Sequence, residues 1–344
     1  MQHPNPNPSS VPIPVTVLTG FLGAGKTTLL NRILTTAHGH RIAVIENEFG
    51  PVNIDSELLV QQSAEVVEMT NGCLCCTVRG DLAKNLGDLK ARRDTGELAF
   101  DRIVIETTGL ADPGPVIQTF FAEAELAETY LLDAVLTVVD AVHAPRQIDE
   151  HPVLLKQIGF ADRLLVSKSE GVAADALDAL LERLARINPR APIRQLVAGE
   201  LDVGFLLDIR GFNLNENLLP ADEPTKPRFH PASKTGSVFG GTAHSDEIGS
   251  LLLEHPGEVD LDRIGAYVQT LLDRYGDDLL RYKGVLAIPD QASRLVFQGV
   301  HRLAGFDYGK EWNDDARGSR IVLIGRRLPE DELRAGFAEC AIAA

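Results

Sequence analysis

The chain has 344 residues, with 33 Lys and Arg set against 49 Asp and Glu, for a net charge of −16. Its 44% hydrophobic and 24% charged residues suit a folded soluble chain, and its length fits roughly two domains of about 150 residues. The acidic balance excludes recognition of nucleic acid or an anionic membrane through bulk charge, because both would be repelled. No apolar run approaches the ~18 residues that a membrane helix needs. The opening from Met1 to Pro8 is polar and proline-rich, without the basic and apolar parts of a secretory signal, so residues 1–10 read as a disordered leader. The expected location is the cytoplasm.

From 11 to 210, short β-branched runs alternate with amphipathic ones. Ile13–Leu18, Arg41–Ile45, Asp101–Ile105, Ala134–Val139 and Arg163–Val166 are expected strands, buried on both faces. Helices are expected at Thr27–Ala37, Asp81–Arg92 and Ala173–Arg186. This alternation predicts an α/β domain with a mostly parallel, doubly wound sheet. Residues 211–241 carry Pro220, Pro224, Pro227 and Pro231 and read as linker and loop. Over 242–344, strands at Ile248–Leu253, Gly284–Ile288, Arg294–Val300 and Arg320–Ile324, with helices at Leu261–Arg281 and Glu330–Ala338, predict a smaller α+β domain with a largely antiparallel sheet.

Between the first strand and first helix, Gly20-Phe21-Leu22-Gly23-Ala24-Gly25-Lys26-Thr27 matches the phosphate-binding loop in full. The glycines let backbone N–H groups turn inward around phosphate oxygens, and the helix N-terminus adds its positive dipole end. Lys26 is placed to neutralise β and γ phosphates, and Thr27 to ligate Mg²⁺. On the strand from Asp101, Glu106 is the acid expected to reach Mg²⁺, and Gly109 the glycine whose N–H senses the γ-phosphate. Glu48 and Asp112 are both open as general base.

Base identity falls to Ser167-Lys168-Ser169-Glu170 after a later strand. Lys168 is expected to cover the base plane and Glu170 to meet the guanine edge. Ser167 is shorter than the Asn usual there, which predicts one polar contact fewer and a weaker preference for GTP over ATP.

Of the four cysteines, Cys73, Cys75 and Cys76 lie within four positions, while Cys340 stands alone. Crowded thiols in a reducing compartment suit metal or redox chemistry, and thiolates favour Zn²⁺ or Cu⁺. No second Cys pair is present, so a zinc site is either incomplete or borrows a carboxylate or His from elsewhere. Glu46 and Glu48, at the end of the second strand, are candidates. His38 and His40 have chelating spacing but are expected at a helix end, where a dipole contact explains them equally.

These features together resemble the CobW-type metallochaperone GTPases, in particular their YjiA-like branch. The similarity covers 19–28, 45–55, 72–76 and 106–113, and in the second domain Leu280-Arg281-Tyr282-Lys283-Gly284 and Phe297-Gln298-Gly299-Val300. The resemblance implies a GTPase domain, a CobW-type C-terminal domain and slow Mg²⁺-dependent GTP hydrolysis. It also implies transfer of a metal, most often zinc, to a client metalloprotein. Gly20, Gly23, Ala24, Gly25, Lys26, Thr27 and Thr28 would hold phosphate. Lys26, Thr27 and Glu106 would act in hydrolysis, while Cys73, Cys75, Cys76 and Glu46 would hold the metal. The rivals are a P-loop kinase for a small metabolite, and a metal or redox sensor gated by nucleotide. Self-association is left open by the sequence.

Overall fold

The computed structural model describes residues 12–47, 65–68, 78–122, 124–197, 202–212 and 248–342. Its first sheet has seven strands: β1 (Ile13–Gly20), β2 (Ile42–Asn47), β3 (Glu65–Glu68), β4 (Arg102–Thr107), β5 (Tyr130–Asp140), β6 (Arg163–Ser167) and β7 (Ile193–Gln195). They are ordered β3-β2-β4-β1-β5-β6-β7, and every pairing is parallel. The expected doubly wound sheet is therefore present. Val15, Val17, Leu18, Val104, Val135 and Val138 are almost wholly buried because helices cover both faces. On one face lies α1 (Lys26–Thr35), packed through Leu29, Leu30, Ile33 and Leu34. The other carries α2 (Val78–Asp94), α3 (Gly114–Ala122), α4 (Ala124–Thr129), α5 (Ala144–Glu150), α6 (Pro152–Phe160) and α7 (Ala174–Ile187). The short α8 (Val203–Leu206) joins the α1 side through Leu206.

The second sheet is wholly antiparallel among its described strands, which are β8 (Ile248–His255), β9 (Leu279–Leu286), β10 (Ser293–Val300), β11 (Leu303–Glu311) and β12 (Ser319–Arg326). Their order is β11-β10-β9-β12-β8, and α9 (Leu261–Tyr275) and α10 (Glu330–Ala338) pack on one face. The Asp260 carboxylate caps α9 by accepting from the Arg263 N–H. The expected helix over Leu261–Arg281 runs too far. Leu271, Tyr275 and Leu279 keep a helical i, i+4 spacing, yet the helix stops at Tyr275, and Leu279–Leu286 pairs with both β10 and β12. No described helix is long and apolar enough to cross a membrane.

The structure shows what the second-domain motif residues do. Arg281 and Lys283 alternate on β9, and Gln298 lies opposite Lys283 on β10, so all three face the first sheet's domain. Arg281 donates to the Phe160 carbonyl at 3.0 Å, the Asp162 carboxylate at 2.5 Å and the Gly211 carbonyl at 3.2 Å. Lys283 donates to the same Gly211 carbonyl at 3.2 Å, and Gln298 to that of Phe212 at 2.7 Å. Burial, with Arg190 and Arg281 nearby, pushes the Lys283 ammonium down from 10.5 to about 7. Between those values the unfolded chain carries a proton that the folded chain lacks. Stability attributable to Lys283 therefore rises with pH from about 7 towards 10. Lys283→Met is expected to raise the urea midpoint by the equivalent of about 1–3 kcal/mol at pH 6–7, with the gain shrinking towards pH 10. A pH-independent difference in paired urea titrations would show that Lys283 is not a buried charge.

Candidate nucleotide and metal site

The phosphate loop forms because β1 ends in a residue that no side chain permits. Gly20 has φ +141°, and a Cβ there would lie 2.3 Å from the Val138 carbonyl oxygen on β5. The loop then turns through an Ala24 N–H bond to the Phe21 carbonyl, 3.1 Å, and Gly25 opens α1 with φ +100°. Lys26 is buried and reaches back over the loop to the Phe21 carbonyl, 3.4 Å away.

Thr27 and Glu106 meet directly, the Thr27 hydroxyl donating to Glu106 Oε1 at 2.9 Å. Behind them, Thr107 donates to Thr19 at 2.9 Å and ties β4 to β1. A hydroxyl beside a carboxylate, at the N-terminus of the loop's helix, is an all-oxygen donor set that fits Mg²⁺. Glu46 lies opposite Glu106 in the β2–β4 register, and both carboxylates are buried. Matched register in a parallel pair puts them on the same face. Asp112, one of the two acids open as base, has its oxygens taken by Lys156 at 2.6 Å and the Gly114 N–H at 2.9 Å. Glu48 lies outside the described residues.

On β6, Ser167 is buried and turned towards the phosphate loop. Its hydroxyl donates to the Ala24 carbonyl at 2.7 Å and so grips the phosphate loop. Lys168, in the left-handed region with φ 57°, donates to the Gly23 carbonyl at 2.8 Å and to Asp140 at 2.7 Å. Glu170 is exposed beside it. Asp140, at the end of β5, was not singled out by the sequence, although it closes an apolar strand at the carboxyl edge just as Glu106 does. Burial alone would raise its carboxyl, but hydrogen bonds from Lys168, His143 and two backbone N–H groups outweigh this and hold it below its ordinary value.

Cys73, Cys75 and Cys76 lie outside the described residues. Among the described residues, no group of three or more His, Cys, Asp or Glu is placed to share a metal. His38 and His40 do not sit at the helix end. α1 stops at Thr35, the two rings stack at 5.7 Å, and His40 lies 3.6 Å from Asp101 and 3.7 Å from Asp208. Cys340 is buried, and its thiol is pushed up to about 11, which marks it as an inert core cysteine.

Comparison with known proteins agrees with this geometry. Residues 14–195 match the CobW/HypB/UreG nucleotide-binding domain, and 248–341 match the cobalamin synthesis protein cobW C-terminal domain. The chain is 47% identical over 327 residues to the zinc chaperone YjiA of Escherichia coli (strain K12), covering 95% of this chain and 98% of that one. It is 36% identical over 364 residues to the zinc chaperone CobW of Pseudomonas aeruginosa, covering 95% and 92%. A crystal structure of Zn(II)-bound YjiA GTPase from E. coli superposes with a TM-score of 0.78 at 43% identity, covering 96% of this chain and all of that one. The P-loop between β1 and α1, with the antiparallel domain behind it, thus places the chain in the CobW/YjiA-like family of zinc-chaperone GTPases.

Proposed function

We propose that the chain hydrolyses GTP to control a Zn²⁺ ion held by Cys73, Cys75 and Cys76 with Glu46, and passes that ion to a client metalloprotein. The observation that carries this is the shared strand edge. Glu106 bonds Thr27 of the phosphate loop, and Glu46 stands beside it in register. A ligand set including Glu46 would therefore be attached to the strand next to the one that answers the nucleotide. The zinc-chaperone relatives lend the cargo its identity.

In this scheme Gly20, Gly23, Ala24, Gly25 and Thr28 cradle the phosphates, and Lys26 neutralises charge between the β and γ groups. Thr27 and Glu106 would hold Mg²⁺, which would further stabilise that charge. Water attacks the γ-phosphorus, the bond to the β–γ bridging oxygen breaks, and GDP and phosphate leave, with the water's proton carried off on phosphate. Lys168, braced by Asp140 and Gly23, covers the base, and Glu170 receives the guanine edge.

A zinc titration by dye competition tests the coupling, run without nucleotide, with GDP, and with a non-hydrolysable GTP analogue plus Mg²⁺. Zinc affinity is expected to change about tenfold or more with the analogue, some 1.4 kcal/mol of coupling, and Cys75→Ser should abolish the change. Equal affinity in all three states would leave the nucleotide without control of the metal and favour a sensor. At the base end, Asp140→Asn loses a charge-assisted bond to Lys168. It is expected to weaken GDP and the analogue alike by about tenfold, roughly 1.4 kcal/mol, in fluorescent-nucleotide titrations. An effect confined to the analogue would place Asp140 with the γ-phosphate instead.

A further inference from the structure

Gly109 follows Glu106 by three residues, and its segment leans on the phosphate loop. A Cβ at Gly109 would lie 2.5 Å from Leu22 N and 2.7 Å from Leu22 Cα, so its backbone already touches the loop. The segment from Gly109 to Asp112 has no strand partner among the described residues, and α6 holds it. The Gln157 side-chain amide donates to the Gly109 carbonyl at 3.2 Å and to the Ala111 carbonyl at 3.1 Å. Its neighbour Lys156 pairs with Asp112 at 2.6 Å.

Gln157 is wholly buried on a helix whose other buried residues are Leu154, Leu155, Ile158, Gly159 and Phe160. Its Oε1 finds no hydrogen-bond partner among the described residues. A buried amide oxygen left so carries a desolvation cost, which the two bonds made by the amide nitrogen offset. The backbone of Gln157 is itself fixed, accepting from the Thr137 hydroxyl on β5 at 2.8 Å.

The last turn of α6 is also the seat of the second domain. A Cβ at Gly159 would lie 2.7 Å from the Leu280 side chain. The Phe160 carbonyl accepts from Arg281, and the Phe160 ring meets His301 edge-on at 5.5 Å. At the start of α3, a Cβ at Gly114 would lie 3.0 Å from His301 Nε2 and 3.2 Å from Phe160. One short helix thus touches the nucleotide segment on one side and the antiparallel domain on the other.

We propose that Gln157 is a positioning residue for reading the nucleotide state. Its amide presets Gly109 against the phosphate loop for the γ-phosphate, and α6 carries that setting to the second domain at Leu280, Arg281 and His301. This rests on the GTP site proposed above. GDP lacks the γ-phosphate and does not engage Gly109, so the two nucleotides separate the effects.

The test uses the full chain with fluorescent GDP and a fluorescent non-hydrolysable GTP analogue, both with Mg²⁺. Gln157→Leu is expected to weaken the analogue about fivefold or more, as loss of a buried hydrogen bond implies, and to leave GDP within about twofold. Hydrogen exchange is then compared over 279–286 and 297–303. The wild type should show slower exchange with the analogue than with GDP, and Gln157→Leu should erase that difference. Equal loss of both nucleotides, no loss of either, or an exchange difference that survives the substitution overturns the proposal. A wild-type chain that binds neither nucleotide overturns the GTP site itself, and the proposal with it. Should Gln157→Leu fail to fold, Lys156→Met removes the other tie. A loss of about threefold confined to the analogue is then expected, and an equal effect on both nucleotides overturns the proposal.

Discussion

The nucleotide side of the molecule depends on the close approach of Gly20 to Val138. β1 is wedged between β4 and β5, with Leu18 level with Glu106 and Gly20 level with Val138. That register brings the start of α1 to the height at which Thr27 meets Glu106. It also leaves Asp140, two residues beyond Val138, where Lys168 can reach it and the phosphate loop together. A side chain at Gly20 would push the loop off β5 and away from Lys168. Ser167 and Lys168 close the same arrangement from β6 by gripping the Ala24 and Gly23 carbonyls.

At the opposite edge of the sheet the strands begin among buried charges. Arg102, at the start of β4, is fully buried. It donates to Asp133 on β5 at 3.1 Å, and also to Asp208. Asp133 further accepts from the Arg210 N–H at 2.7 Å, and its carbonyl takes the Gly211 N–H. Asp208 and Arg210 both adopt left-handed backbone, φ 57° and 54°, to make these turns. A buried guanidinium needs such partners, because an unpaired one would cost several kcal/mol. The pairing fixes the path of residues 202–212 under the sheet and delivers Gly211 and Phe212 to the second domain.

The parallel sheet and its phosphate loop were legible because both are local patterns: β-branched runs set at regular intervals, and a glycine spacing that only one loop geometry satisfies. The end of α9 was not, since Leu279 continues the helical spacing of Leu271 and Tyr275 while its pairing partners lie in β10 and β12. β11 escaped for a related reason. It is an edge strand with Phe306 and Tyr308 exposed, so no buried face marks it in the sequence. Glu106 stands out in the sequence because it closes an apolar strand beside a recognised motif. Asp140 closes one equally well, but its role appears only when Lys168 folds back from β6. Nothing in the sequence around Gln157 separates it from a polar residue on an exposed helix face. Its burial and its bonds to Gly109 and Ala111 are tertiary facts.

The two domains are joined through cations that bind carbonyls more than acids. Arg281 and Lys283 share the Gly211 carbonyl, and Asp162 is the one carboxylate to which either is hydrogen-bonded among the described residues. Carbonyl acceptors belong to the backbone, so this contact fixes the course of the chain. Both seats of the second domain also trace back to β5. Gly211 is held by Asp133 near its start, and α6 by Thr137 further along, while Asp140 at its end pairs with Lys168. Because β5 is buried along almost its whole length, these three points cannot shift independently. A change imposed on the loop at Gly20 therefore meets a rigid strand whose other attachments already bear the second domain.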